Sequence, residues 1–258
     1  MTLADGKSRR YILLFFTVVA ALMLLAEVYA RWPATFDVPA AEIDPGTTHL
    51  ILVFHGSEGV ANPGVIAVEK QVRSLLRSPS SQVVRYRWAP WSDNRWRAAV
   101  NGMHIGEALG RQITASQVNE LHLIGHSAGA WPVYRLCEQL RESAPQVPVI
   151  RITLLDAIGI RGMFDFAFGE RHFGRCADFA EAIINTDDPV PTTNTPLPHA
   201  FNYDVTASRE EGIPGHEWPL WYYRNQLQPS WLNVRMRHSF LPRGAVATEG
   251  NARAAPPE

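Results

Sequence analysis

Hydrophobic positions divide the chain into one long apolar run near its start and a series of short ones. Tyr11 to Ala26 is almost unbroken, and positions 12 to 26 hold ten Leu, Ile, Phe or Val residues. Lys7, Arg9 and Arg10 precede it. At about −0.3 to −0.6 kcal/mol per residue near mid-membrane, the run favours insertion by roughly 3 to 6 kcal/mol. A basic flank followed by such a run predicts a membrane anchor or a signal peptide, not the buried helix of a soluble core. Val28-Tyr29-Ala30 offers a cleavage site, whereas Tyr11 to Ala30 is nearly long enough to span a bilayer. We read residues 1–30 as a single-pass anchor with its basic end inside. Cleavage would instead give an exported protein. Both readings put the rest of the chain outside the cytoplasm, and Glu27, near the far end, within reach of the headgroups.

Beyond residue 47 the pattern changes period repeatedly. Short apolar runs at 48–54, 82–88, 121–124, 149–155 and 182–185 predict strands. Between them Val65, Val68, Val72, Leu75 and Leu76 recur at helical spacing, and 96–113 and 130–140 are also helix-compatible. Strands apolar on both faces, alternating with helices, predict an α/β domain with a mostly parallel central sheet flanked by helices. The Ala- and Pro-rich residues 31–46 read as a linker, 47–242 as the domain, and 243–258 as a disordered tail.

Composition narrows the classes. The chain has 258 residues, 46% hydrophobic and 19% charged, enough for one domain with a sizeable core. A formal net charge of −1 gives no reason to expect a nucleic-acid partner. Neither the histidines nor the two cysteines show metal-ligand spacing, and no metal or organic cofactor is implied. Outside the cytoplasm Cys137 and Cys176 can pair, but spacing alone leaves their proximity open.

Candidate chemistry concentrates at Gly125-His126-Ser127-Ala128-Gly129, a G-x-S-x-G pentapeptide between a strand and a helix. Small residues on both sides let the chain turn sharply and lift a serine hydroxyl from the sheet edge, with a helix N-terminus aimed at developing negative charge. Downstream, His216 in a glycine-flanked loop is the candidate general base. Asp156 ends one predicted strand and is the preferred acid, while Asp187 and Asp188 end the next and are the alternative; Asp204 is a more distant one. After the first core strand, His55-Gly56-Ser57 resembles an oxyanion loop, and the amides of Ser57 and Ala128 would supply the donors. His55 reads as a loop-fixing residue, and Glu58 and Asn62 as possible neighbours of the site by position. Phe164, Phe166, Phe168 and Phe173 lie in 158–173, which reads either as an apolar lid over an acyl pocket or as an ordinary packed excursion.

These motifs resemble the α/β-hydrolases of the lipase and esterase type, and in pattern the pancreatic and lipoprotein lipase group. The H-G after a strand, Val84-Arg-Tyr-Arg-Trp88, Asn101 with Ile105-Gly106, the run 121–129, Leu154-Leu-Asp156 and Ile183-Ile-Asn-Thr-Asp187 occur in that group's order, over roughly residues 48 to 223. The resemblance implies an α/β-hydrolase fold and a Ser127–His216–Asp156 triad cleaving carboxylic esters, with a small-molecule or lipid ester as substrate. The chain departs from the group in having Ala157-Ile158-Gly159 after Asp156, and in lacking its disulfide pattern and C-terminal lipid-binding domain. The same triad also serves thioesterases, amidases and acyltransferases, and a non-catalytic membrane-tethered binding module would keep the fold without the turnover.

Overall fold

The computed structural model describes residues 6–143, 146–233 and 242–248. Among these, seven strands form one parallel sheet: β1 (His49–Phe54), β2 (Ser81–Tyr86), β3 (Glu120–His126), β4 (Val149–Leu155), β5 (Phe179–Ile184), β6 (Phe201–Asp204) and β7 (Val246–Thr248). Their order across the sheet is β2-β1-β3-β4-β5-β6-β7. The helices are α1 (Gly6–Arg31), α2 (Pro63–Leu75), α3 (Ala98–Thr114), α4 (Ala130–Ser143), α5 (Phe168–His172) and α6 (Trp218–Gln226). This is the α/β-hydrolase fold, preceded by an apolar helix.

The alternation along β1 shows how the core is divided. Leu50, Leu52 and Phe54 face α3 and α4, against Ile105, Leu109, Leu136 and Leu140. Ile51 and Val53 face the opposite layer, against Val65, Val68 and Val72 of α2 and Trp218, Leu220 and Tyr223 of α6. A parallel sheet covered on both sides needs apolar residues at every position, hence the unbroken runs. Each such side chain contributes about 1.5–3 kcal/mol when fully buried. One polar seam crosses the α6 side: Arg151 of β4 pairs with Glu181 of β5 at 2.8 Å, both side chains fully buried, and Glu181 accepts from Thr153 at 2.6 Å.

Two segments depart from the sequence expectation. The expected disordered tail begins inside the sheet: Gly244 N–H donates to Ala200 O at 2.8 Å, Arg243 donates to the carbonyls of Gly174, Ala177 and Asp178, and β7 pairs with β6. A three-residue strand carries too little pattern to be read from sequence, and it forms because β6 leaves an edge to pair. Residues 249–258 lie outside those described. The linker over 31–46 has no helix or strand beyond Arg31, the last residue of α1, but packs on the domain. Phe36 stacks on Trp91 with centroids 4.4 Å apart, and the backbone of Ala41 exchanges two hydrogen bonds with the Gln112 amide. Cys137 and Cys176, left open by the sequence, form a disulfide between α4 and the segment before β5.

Candidate active site

Four neighbouring strands deliver the site. β1 leads into His55, β3 into Ser127, β4 into Asp156 and β5 into Asn185–Asp188, so all four groups emerge at the carboxyl edge of the sheet, where ligands bind in open α/β folds.

Ser127 has φ +55°, in the left-handed region that a non-glycine residue rarely adopts. A single 3-10 turn, Ser127–Gly129, then leads directly into α4. Close packing explains the glycines of the motif. A Cβ on Gly129 would stand 2.5 Å from Phe54 O, and one on Gly56 would stand 2.7 Å from Ser127 Cβ. The β1 loop therefore lies directly against the serine. It is fixed by His55: the ring Nδ1 is 2.8 Å from Gly56 O, and Nε2 is 3.2 Å from the amide of Trp88. Those partners assign an Nδ1–H tautomer that donates to the carbonyl and accepts from the amide. Burial lowers the His55 pKa, in keeping with a neutral ring.

His216 sits in a 3-10 turn, Gly215–Glu217, ahead of α6. Three contacts anchor that turn. Trp218 Nε1 donates to Val205 O at 2.8 Å, Asn62 Nδ2 donates to Glu217 Oε2 at 2.8 Å, and His126 Nε2 lies 3.0 Å from His216 O. Asn62 thus holds the histidine's turn while its own Oδ1 caps α2 by accepting from Val65 N–H at 3.1 Å. His126 went unassigned in the sequence, although it is one of the two variable residues of the pentapeptide itself. Burial, and next the neighbouring His216, push its pKa down to about 3, so it is neutral and donates from Nε2 to the carbonyl.

Two strand-end carboxylates reach His216, and the nearer is Asp188, the alternative in the sequence reading, not the preferred Asp156. His216 Nδ1 is 2.8 Å from Asp188 Oδ2 and 3.5 Å from Asp156 Oδ2. Asp188 Oδ2 also accepts from Thr193 Oγ1 at 2.6 Å, which orients the carboxylate. Asp156, fully buried with φ +44°, uses Oδ1 to accept from Asn185 N–H at 2.8 Å and so fixes the end of β5. Burial raises the Asp156 pKa to about 7, against the opposing pull of His216 and the Asn185 amide. Burial would lower the His216 pKa, but the carboxylates of Asp156 and Asp188 outweigh it and raise the pKa above the ordinary histidine value. Asp187 turns away, bonded to Asn185 and paired with Arg209 at 3.0 Å. Asp204 accepts from Thr206 instead.

The liganding atoms of Asp156, Asp188 and His216 lie within 4.8 Å of one another, a set chemically able to hold a metal ion. The His216–Asp188 separation of 2.8 Å is that of a direct hydrogen bond. Two ligands each about 2.0–2.2 Å from a shared tetrahedral ion would stand farther apart, at roughly 3.3–3.6 Å. The arrangement therefore suits acid–base chemistry better than metal ligation.

A cavity of about 540 Å³ opens beside these groups, lined by Ser57, Ser127, Ala128 and His216 on its polar side. Trp96, Trp131, Ile158, Ile160 and Val190 supply apolar wall. The 158–173 segment is divided: its first half borders the cavity, whereas Phe168 and Phe173 are buried against Trp131.

No protein-family model and no curated protein matches the chain. Solved structures similar to it include a protein described as a cell surface hydrolase from Lactobacillus plantarum WCFS1, with TM-score 0.41 and 11% identity, covering 71% of this chain and 78% of that one. The RedJ thioesterase of the prodiginine biosynthetic pathway in Streptomyces coelicolor has TM-score 0.38 and 16% identity, covering 79% of this chain and 95% of that one. At these scores the neighbours add nothing to what the strand order and the site geometry show.

Proposed function

We propose that this protein is a serine hydrolase acting on carboxylic esters. One observation carries the reading: a serine held in left-handed backbone at a strand-to-helix junction shares a cavity with a histidine whose Nδ1 is hydrogen-bonded to a buried carboxylate. Ser127 Oγ attacks the acyl carbon as its proton passes to His216 Nε2, and the alcohol departs with that proton. Water then attacks the acyl-enzyme, giving a proton to His216, and the carboxylic acid is released with Ser127 restored. Asp188 keeps the Nδ1–H tautomer and stabilises the imidazolium; Asp156 shapes the strand end behind it. The amides of Ser57 and Ala128 serve the oxyanion. A neutral acyl group is favoured because the walls are apolar and Arg95, which also borders the cavity, is paired with Glu58 at 2.9 Å.

In this reading α1 anchors the protein. Ser8–Arg31 is long and apolar enough to cross a membrane. The basic flank favours its start inside, and the Cys137–Cys176 disulfide suits a domain on the oxidising side. An active-site-directed fluorophosphonate is expected to label the protein, and Ser127→Ala to abolish labelling together with ester hydrolysis. Persistent labelling of the Ala variant would sink the assignment.

A further inference from the structure

The last turn of α1 is tied to both loops that frame the cavity. On one side Glu27, ion-paired with Arg31, accepts from Met163 N–H at 2.6 Å, and Arg31 donates to Arg161 O at 3.4 Å. Gly162, a cavity-lining residue, has φ +67°, and a Cβ there would stand 2.6 Å from both Glu27 carboxylate oxygens. Helix and loop thus meet at a glycine in left-handed backbone, packed against the Glu27 carboxylate. On the other side Arg97 donates to Tyr29 O at 2.7 Å and Trp32 O at 2.9 Å, with its guanidinium 5.2 Å from the Tyr29 ring centroid. Asn94 Nδ2 donates to the Tyr29 hydroxyl at 2.8 Å. Arg95 and Trp96, between those two anchors, line the cavity. Ala30 is buried in the junction.

This junction fixes the cavity relative to the helix axis. At 1.5 Å per residue the stretch Tyr11–Ala30 rises about 30 Å, the thickness of the hydrocarbon core, which brings Arg31 to the headgroup level of a bilayer with Glu27 about one turn from it. Gly162 and Met163, in contact with Glu27, lie at that same level. Large apolar side chains are exposed on these very segments: Trp32 at 62%, Trp96 at 58%, Phe164 at 54% and Phe166 at 52%. In water such exposure is unfavourable, whereas aromatic rings are favoured at a membrane–water interface. All four are carried on α1's own end or on segments bonded to it, and a bilayer that encloses α1 would cover them.

We propose that α1 holds the cavity mouth against the membrane and that the enzyme draws its substrate, the acyl ester of a membrane lipid, from the leaflet at its own anchor. The inference rests on the serine-hydrolase reading and on α1 spanning the membrane. It gives the helix a positioning role in the site, and it is incompatible with removal of α1 by cleavage after Ala30.

The test uses the full chain reconstituted in phosphatidylcholine vesicles. A phospholipid with a self-quenched fluorescent acyl ester is placed either in the same vesicles or in separate ones, and p-nitrophenyl butyrate serves as the soluble substrate. Tethering is expected to make hydrolysis in the same vesicle at least ~10-fold faster than across vesicles. The double variant Phe164→Ser/Phe166→Ser, altered outside the cavity lining, is expected to lose about 5- to 10-fold on the lipid through lost apolar contact, with butyrate hydrolysis unchanged. Equal rates in the two vesicle arrangements, or lipid hydrolysis unaffected by the double variant, would overturn the proposal. So would butyrate cleavage without lipid cleavage in either arrangement. Failure to cleave butyrate or to bind fluorophosphonate would instead remove the hydrolase reading beneath it.

Discussion

The imidazole of His216 meets the carboxylate of Asp188 at 2.8 Å, across two strand-end loops that the sequence separates by 28 residues. Asp156, at 3.5 Å from the same nitrogen, is the second carboxylate of the group. The two are expected to differ in function. Asp188→Asn should lower kcat by about 10²- to 10⁴-fold, as loss of the tautomer-holding acid does. Asp156→Asn, which can still accept from the Asn185 amide, should cost less than about tenfold. Its stability should also change with pH. A folded-state pKa near 7, above the ordinary 3.8, means that ionised Asp156 penalises the folded state increasingly as pH rises through that interval. Asp156→Asn should therefore raise the Tm more at pH 8 than at pH 4. The reverse ranking of the two variants in steady-state kinetics would return the acid role to Asp156.

The pH–rate profile follows from the raised pKa of His216. The base must be neutral to accept the serine proton, so kcat/KM should rise with pH through an apparent pKa above 6.5, the ordinary histidine value. Asp188→Asn should move that limb to lower pH by removing the charge that stabilises the imidazolium. An acid limb below 6.5 in the unaltered protein would contradict this geometry.

His126 acts on His216 through the backbone. His126→Phe removes the donor to His216 O and should reduce kcat by about 10- to 100-fold, the usual effect of a misplaced base. His126→Gln, which can still donate, should recover most of the loss. A further readout separates this from simple packing. The folded-state pKa near 3 lies below the unfolded 6.5, so this residue's contribution to stability is lost as pH falls from 6.5 toward 3. Urea titrations of His126→Gln should show a shallower decline over that window.

The Cys137–Cys176 bridge closes a loop between α4 and the approach to β5. Replacing both cysteines by alanine should lower unfolding free energy by about 2–4 kcal/mol, measured by denaturant titration of the oxidised and variant proteins. Ester hydrolysis at 25 °C should be little changed, because the bridge lies away from Ser127 and His216.

Much of the architecture was legible from local pattern. The runs at 48–54 and 149–155 read as buried strands because a doubly covered parallel sheet leaves them no polar face. The pentapeptide at Ser127 read as a turn because its small residues meet a steric demand that the fold then displays, with φ +55° at the serine. β6 and β7 were not legible, since strands of four and three residues hold too few positions to establish a period.

By itself the sequence determined the alternation of strands and helices, the apolar helix at the start, the elbow serine and the downstream histidine. Each depends on residue types within a few positions of one another, where backbone sterics and burial act locally. Only the tertiary structure decided which aspartate faces His216, that His126 holds its carbonyl, that the two cysteines pair, and that α1 ends against the cavity walls. Those relations join residues 28, 90, 39 and 136 positions apart. No local periodicity encodes them, because they arise from strand order and loop packing after the sheet has formed.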